Sequence, residues 1–135
     1  AHEAHGLMRS DFPGGWPDDS MNAFTSEGRT GDKNQIYAYY KNILDLRKTK
    51  DVIHSGKLKH FIPENNVYTY FRFNENECIM IILNNNSVST TLNTQHFSEI
   101  LNAFTSGFDI ITKSEIENLE SIQLPAKGAM IIELK

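Results

Sequence analysis

Acidic side chains close in sequence are the first places to look for chemistry in this chain. Asp18-Asp19, Glu75 with Glu77, and Glu115 with Glu117 are such pairs. A bond-cleaving carboxylate pair must face one substrate bond across about 5–10 Å, with one of the two held protonated. All three pairs lie in turn-like, polar stretches, which suits solvated carboxylates instead. His2-x-x-His5 could place two imidazoles one helical turn apart, but no third ligand type stands nearby to complete a metal set. His54, His60 and His96 are scattered. Ser10 sits in no nucleophile motif of the Gly-x-Ser-x-Gly kind. Gly14-Gly15 is too short to cradle a phosphate. The sequence therefore offers no catalytic residue and no metal site of its own.

Binding chemistry is better represented. Asp11-Phe12-Pro13-Gly14-Gly15-Trp16-Pro17 joins two large aromatic faces across a turn marked by Pro13-Gly14. Aromatic faces pack on the C–H surfaces of sugars, and Asp11 or Arg9 can hydrogen-bond hydroxyls. The competing reading is that Trp16 and Phe12 anchor the loop to its neighbour. Both readings stay open at this stage.

The elements that must position these residues follow from periodicity. Residues 1–33 read as a long loop, with Gly6, Gly14, Gly15, Gly28 and Gly31 out of the eight glycines and the only tryptophan. A structureless stretch of this length is either a functional loop resting on something else or a linker. A helix is expected over residues 34–50, with Asp32 as its cap. Ile36, Tyr40, Ile43, Leu44 and Arg47 recur at helical spacing and give it a broad apolar face. Arg47-Lys48-Thr49-Lys50 then complements the helix dipole.

From Val52 the period changes to two. Strands are expected at 57–62, 67–73, 78–83, 87–92, 108–112, 121–124 and 129–134, with Asn93 or Thr94 capping a short helix through Leu101. Cys78-Ile79-Met80-Ile81-Ile82-Leu83 has no polar break, so it should be a central strand covered on both faces. Cys78 within it reads as an inert core thiol. Along 67–73, Val67, Thr69, Phe71 and Phe73 share one face. Tyr68, Tyr70 and Arg72 share the other, as a binding surface or as a packing surface. Val88, Thr90 and Leu92 are expected to point inward. Short strands separated by turn signals make a mainly β fold, an antiparallel Greek-key β-sandwich.

Composition narrows the function classes. The net charge of −4 and the lack of any long Lys/Arg run argue against a nucleic-acid partner. No apolar run approaches the ~20 residues of a membrane span. The one cysteine excludes an internal disulfide. No leader pattern opens the chain, and Ala1 stands where a start Met would be, in keeping with a processed product or a piece of something longer.

Several blocks together resemble a known family. They are Gly6-Leu7-Met8-Arg9-Ser10-Asp11-Phe12-Pro13-Gly14-Gly15-Trp16, Asn22-Ala23-Phe24-Thr25, Leu44-Asp45-Leu46-Arg47-Lys48, Ile53-His54-Ser55-Gly56-Lys57-Leu58, Val67-Tyr68-Thr69-Tyr70-Phe71-Arg72, Ile82-Leu83-Asn84-Asn85-Asn86 and Leu124-Pro125-Ala126-Lys127-Gly128. In this order they resemble the carboxy-terminal part of an α-amylase family glycoside hydrolase, of the neopullulanase and cyclomaltodextrinase type found in Bacteroides. The resemblance implies a trailing segment of a (β/α)8 barrel over residues 1–51, made of loop 1–33 and helix 34–50. A β-sandwich domain over 52–135 follows. It implies a parent that hydrolyses α-glucosidic bonds in starch-like glucans by retention, with carboxylates that lie upstream of this chain. The barrel loop would then border the substrate cleft, with Trp16, Phe12, Asp11 and Arg9 as substrate-binding residues. The partners implied are a malto-oligosaccharide, bound through the parent, and the upstream barrel. Calcium, where the family uses it, belongs to that upstream region. Starch enzymes of this branch are often periplasmic or at the cell surface. A stand-alone carbohydrate-binding or dimerisation module is the alternative, and apolar surface left bare on the helix would make the isolated chain self-associate.

Overall fold

The computed structural model describes residues 11–135. The chain divides into two compact units, one ending at Thr49 and one running from Lys50 to Lys135. The boundary falls two residues before the one read from the sequence. Lys50 belongs with the second unit because its ammonium reaches the Glu77 carboxylate at 2.8 Å and that of Glu133 at 2.5 Å.

The first unit holds a loop and helix α1, Asp32–Thr49. Asp32 lies inside the first turn and Arg47 and Lys48 inside the last, so both ends match the helix dipole. The helix starts two residues earlier than expected. Thr30 and Gly31 already supply carbonyls to the amides of Lys33 and Asn34, at 3.3 Å each, and Gly31 takes the left-handed conformation that turns the chain (φ +54°). On the exposed flank, Asp45 pairs with Lys41 (2.6 Å) and Lys48 (3.9 Å). The apolar stripe of α1 is exposed: Ile36 by 57%, Tyr40 by 66% and Leu44 by 54%.

The second unit opens with the single turn α2, Asp51–His54. Its strands are β1 Lys57–His60, β2 Val67–Phe73, β3 Cys78–Asn84, β4 Thr90–Asn93, β5 Gly107–Asp109, β6 Ser114–Ile116, β7 Ser121–Leu124 and β8 Ala129–Leu134. A 3-10 turn, Gln95–Phe97, and helix α3, Ser98–Leu101, link β4 to β5. Six strands form one antiparallel sheet in the order β1-β2-β3-β8-β5-β6, and β4 pairs with β7 in a second, two-stranded sheet. This is the antiparallel sandwich expected.

β3 sits at the centre of the larger sheet. Its Cys78, Met80 and Ile82 face a core shared with Phe71, Ile132, Phe97, Leu101, Ile122 and Leu124. Its Ile79 and Ile81 face the other way, against Val52. Burying a side chain of this size contributes about 1.5–3 kcal/mol, so the unbroken apolar run carries much of the fold. Only Leu83, at its end, is exposed. The β1–β2 connection closes on Asn65 and Asn66, both left-handed (φ 50° and 59°), which is the type I′ geometry whose twist suits a hairpin.

The structure differs from the sequence reading at several elements. β1 ends at His60 rather than Ile62. Phe61 still donates to Thr69 O (3.2 Å), but Pro63 has no N–H to extend the ladder and Ile62 is 82% exposed. The strand read as 87–92 begins at Thr90, and Val88 points out to solvent instead of inward. Asn84 holds this corner as a turn: its amide donates to Pro125 O (2.8 Å) and its carbonyl accepts from Asn86 N (3.0 Å). The strand read as 108–112 stops at Asp109. Its buried carboxylate accepts from Ile111 N (3.1 Å) and Thr112 Oγ1 (2.7 Å), turning the chain into β6, which the sequence did not suggest. Of the two expected caps, Asn93 accepts from Gln95 N at its Oδ1 (2.9 Å), whereas the buried Thr94 hydroxyl donates to Leu119 O (2.5 Å) instead.

Candidate functional site

The aromatic loop is built around polar side chains, not around its aromatics. The Asp19 carboxylate accepts from Gly14 N (2.7 Å) and Trp16 N (3.0 Å), and Asp19 N donates to Trp16 O (3.2 Å). These amides hold the Asp19 carboxyl below the usual carboxylate range, Trp16 first and Gly14 next. Gly14 is left-handed (φ +101°), and a Cβ there would run into Asn22. Ala23 N donates to Pro13 O (3.0 Å) and closes the next turn of the loop. Farther along, Arg29 donates to Ala23 O (2.8 Å) and to Asn34 Oδ1 (3.0 Å), and its guanidinium lies 3.9 Å from the centre of the Tyr37 ring. The Asn34 amide donates back to the carbonyls of Ser26 (2.9 Å) and Arg29. The loop is thereby tied to the start of α1.

What this scaffold displays is aromatic. Trp16 is 66% exposed, Phe12 60% and Phe24 66%. Phe12 and Phe24 meet edge to face with ring centres 4.9 Å apart. Asp11 is exposed beside them. Of the residues singled out in the sequence, Asp11, Phe12 and Trp16 therefore lie on one loop with their side chains exposed. Arg9, Ser10, His2 and His5 lie outside the described residues. Sequence reasoning missed Phe24, whose only signal was its place in the Asn22–Thr25 block. Asp19, exposed in a turn as the sequence suggests, also organises that turn through its carboxylate.

Several of the other candidates do structural work. Glu77 binds Lys50, and Glu115 binds Lys135 at 2.9 Å. Arg72 donates to Ile53 O (2.9 Å), and Tyr70 packs on the cluster of Val52, Ile79 and Ile81. The Tyr68 and Tyr70 rings lie 5.5 Å apart on that same face. Cys78 is buried, and burial pushes its thiol up to about 11. Among the described residues, no three His, Cys, Asp or Glu gather as metal ligands, and no helix is long and apolar enough to cross a membrane.

Comparison with known proteins decides the family. Residues 58–133, from within β1 to within β8 and more than half of the chain, match the model of the cyclo-malto-dextrinase C-terminal domain. The chain belongs to this family, and so to the C-terminal part of the α-amylase family glycoside hydrolases. A similar curated protein is the probable oligo-1,6-glucosidase 3 of Bacillus subtilis strain 168, 33% identical over 60 residues. That match covers 44% of this chain and 11% of the relative. Among solved structures, AmyP in complex with maltose superposes with a TM-score of 0.68 at 11% identity, covering 77% of this chain and 21% of that one. The trehalulose synthase MutB from Pseudomonas mesoacidophila MX-45 does so with a TM-score of 0.60 at 17% identity, covering 74% and 18%. At these identities the structures establish the fold. The cyclomaltodextrinase C-terminal domain described here thus spans only a small part of the length of its relatives.

Proposed function

We propose that this chain is the C-terminal segment of an enzyme that hydrolyses α-glucosidic bonds in starch-like glucans, of the neopullulanase or cyclomaltodextrinase type. The observation that carries the reading is the family match across the sandwich, joined directly to a helix whose apolar stripe is exposed. In this reading the sandwich stabilises an upstream (β/α)8 barrel, α1 lays its stripe of Ile36, Tyr40 and Leu44 on that barrel, and the chain alone has no hydrolytic activity. The catalytic carboxylates and any calcium belong to the barrel. The loop borders the substrate cleft, where Trp16 and Phe12 offer faces to glucose rings and Asp11 and Arg9 hydrogen-bond hydroxyls. The maltose bound to a structural neighbour is in keeping with such a ligand.

Two measurements on the 135-residue chain test this. Incubation with maltodextrin should release no reducing sugar; sustained hydrolysis would overturn the placement of the carboxylates upstream. Sedimentation at increasing concentration should show self-association through the bare stripe, reduced in Tyr40→Glu. A clean monomer at high concentration would count against a surface made to be covered.

A further inference from the structure

The β-unit contains a groove of about 560 Å³ that the reading above does not use. Its size falls in the range of small-molecule sites, about 300–1,000 Å³. One wall is the outer edge of β4. Thr94 N donates to Glu120 O (3.1 Å), and in the same register Leu92 pairs with Ile122 and Thr90 with Leu124. Hydrogen-bonded and non-bonded pairs alternate along an antiparallel ladder. The main-chain groups of Leu92 and Thr90 therefore turn toward β7, while the N–H and C=O of Thr91 and Asn93 turn away from it. Both residues line the groove.

Side chains add to these free main-chain groups. Glu64 and Asn65 from the hairpin and Gln95 and His96 from the 3-10 turn line the same groove, and none of the four side chains hydrogen-bonds another described residue. His96 is nonetheless held in place, its ring edge-on to Phe61 at 5.5 Å and to Phe97 at 5.4 Å. Ile62 and Leu92 add apolar surface to the same lining.

The lining selects a ligand class by its charges. It contains no Lys or Arg, so nothing there neutralises a phosphate or carboxylate. It contains a single carboxylate, too few to hold a cation. Uncommitted amides, free backbone donors and acceptors and apolar surface suit a neutral ligand that is dense in hydroxyls and carries C–H faces. We propose that this groove is an oligosaccharide-binding site on the β-unit. The choice of an α-gluco-oligosaccharide as its ligand rests on the glucan reading given above.

The test is a titration of the full chain with maltotriose, followed by amide NMR, in the parent sequence and in Trp16→Ala. Saturable shifts at Thr91, Asn93 and Gln95 are expected in both. Gln95→Ala and His96→Ala, each truncating an exposed side chain, should weaken binding by about tenfold, as for one lost hydrogen bond in a desolvated site. Shifts confined to residues 11–31, or no shift up to millimolar sugar, would overturn the groove site, and the first of these would leave the glucan reading intact. Groove shifts with xylotriose and none with maltotriose would keep the sugar site and overturn the glucan reading. Shifts produced by an extended peptide and by neither sugar would assign the β4 edge to strand addition and overturn the proposal.

Discussion

β3 and the loop from Asp11 to Gly31 use large apolar residues in opposite ways. In β3 the apolar side chains are the structure: Ile79, Met80 and Ile82 are each no more than 1% exposed and two cores meet across them. In the loop, polar groups are the structure. Asp19, Asn22, Arg29 and Asn34 make the hydrogen bonds, while Trp16, Phe12 and Phe24 stay on the surface. Apolar residues that hold a fold disappear from solvent, whereas those of the loop are held at the surface by a polar frame, as the proposed substrate role requires.

The comparison predicts where substitutions hurt. Phe71→Ala, at the fully buried centre of β2, should lose about 3–5 kcal/mol of stability by denaturant unfolding, through lost burial and the cavity left behind. A loss below 1 kcal/mol would mean the sandwich core is not packed as described. Lys50→Met should cost less, about 1–2 kcal/mol, since Lys50, Glu77 and Glu133 are only partly shielded. The same group sets an alkaline limit. Its two carboxylate partners, Glu133 first, raise the Lys50 pKa above 10.5. The stability it contributes is therefore complete below pH 10.5 and fades as pH rises through the raised value. Thermal unfolding of the parent and Lys50→Met should converge there.

At the loop, Asp19→Ala should leave the unfolding midpoint of the sandwich in place and speed amide exchange at Gly14 and Trp16. Acid should lower the exchange protection of the same two amides, measured against the intrinsic rate at each pH. The Asp19 pKa is depressed below 3.8, so its hold on those amides is complete above that pH and is lost as pH falls through the lower value. Exchange at Gly14 that stays slow in Asp19→Ala would show that another group frames the turn. The smallest effect on stability should come from Trp16→Ala, within about 0.5 kcal/mol, as for exposed positions without structural partners. A large loss there would make Trp16 an anchor after all and erase the contrast with β3.

The two regions were also unequally legible from sequence. β2, β3, β7 and β8 follow from alternation and from the unbroken run at Cys78, because burial of a strand face is written in every second residue. The edges were harder to read. β5 ends where the Asp109 side chain captures Ile111 N, and Val88 faces outward because Asn84 holds the corner; both are side-chain to backbone bonds that periodicity does not register. At the loop, the Pro13-Gly14 turn and the aromatic character of Phe12 and Trp16 were plain. The approach of Phe24 to Phe12 depends on a fold that returns the chain, and the role of Asp19 depends on amides that only the turn brings together.

The most direct test of the account is steady-state hydrolysis of maltotriose by the parent enzyme carrying Trp16→Ala. If the loop borders the cleft, kcat/KM should fall by about tenfold, as for the loss of one aromatic face against a sugar ring, with the melting temperature unchanged. Unchanged kcat/KM with unchanged stability would contradict the assignment of this loop to the substrate.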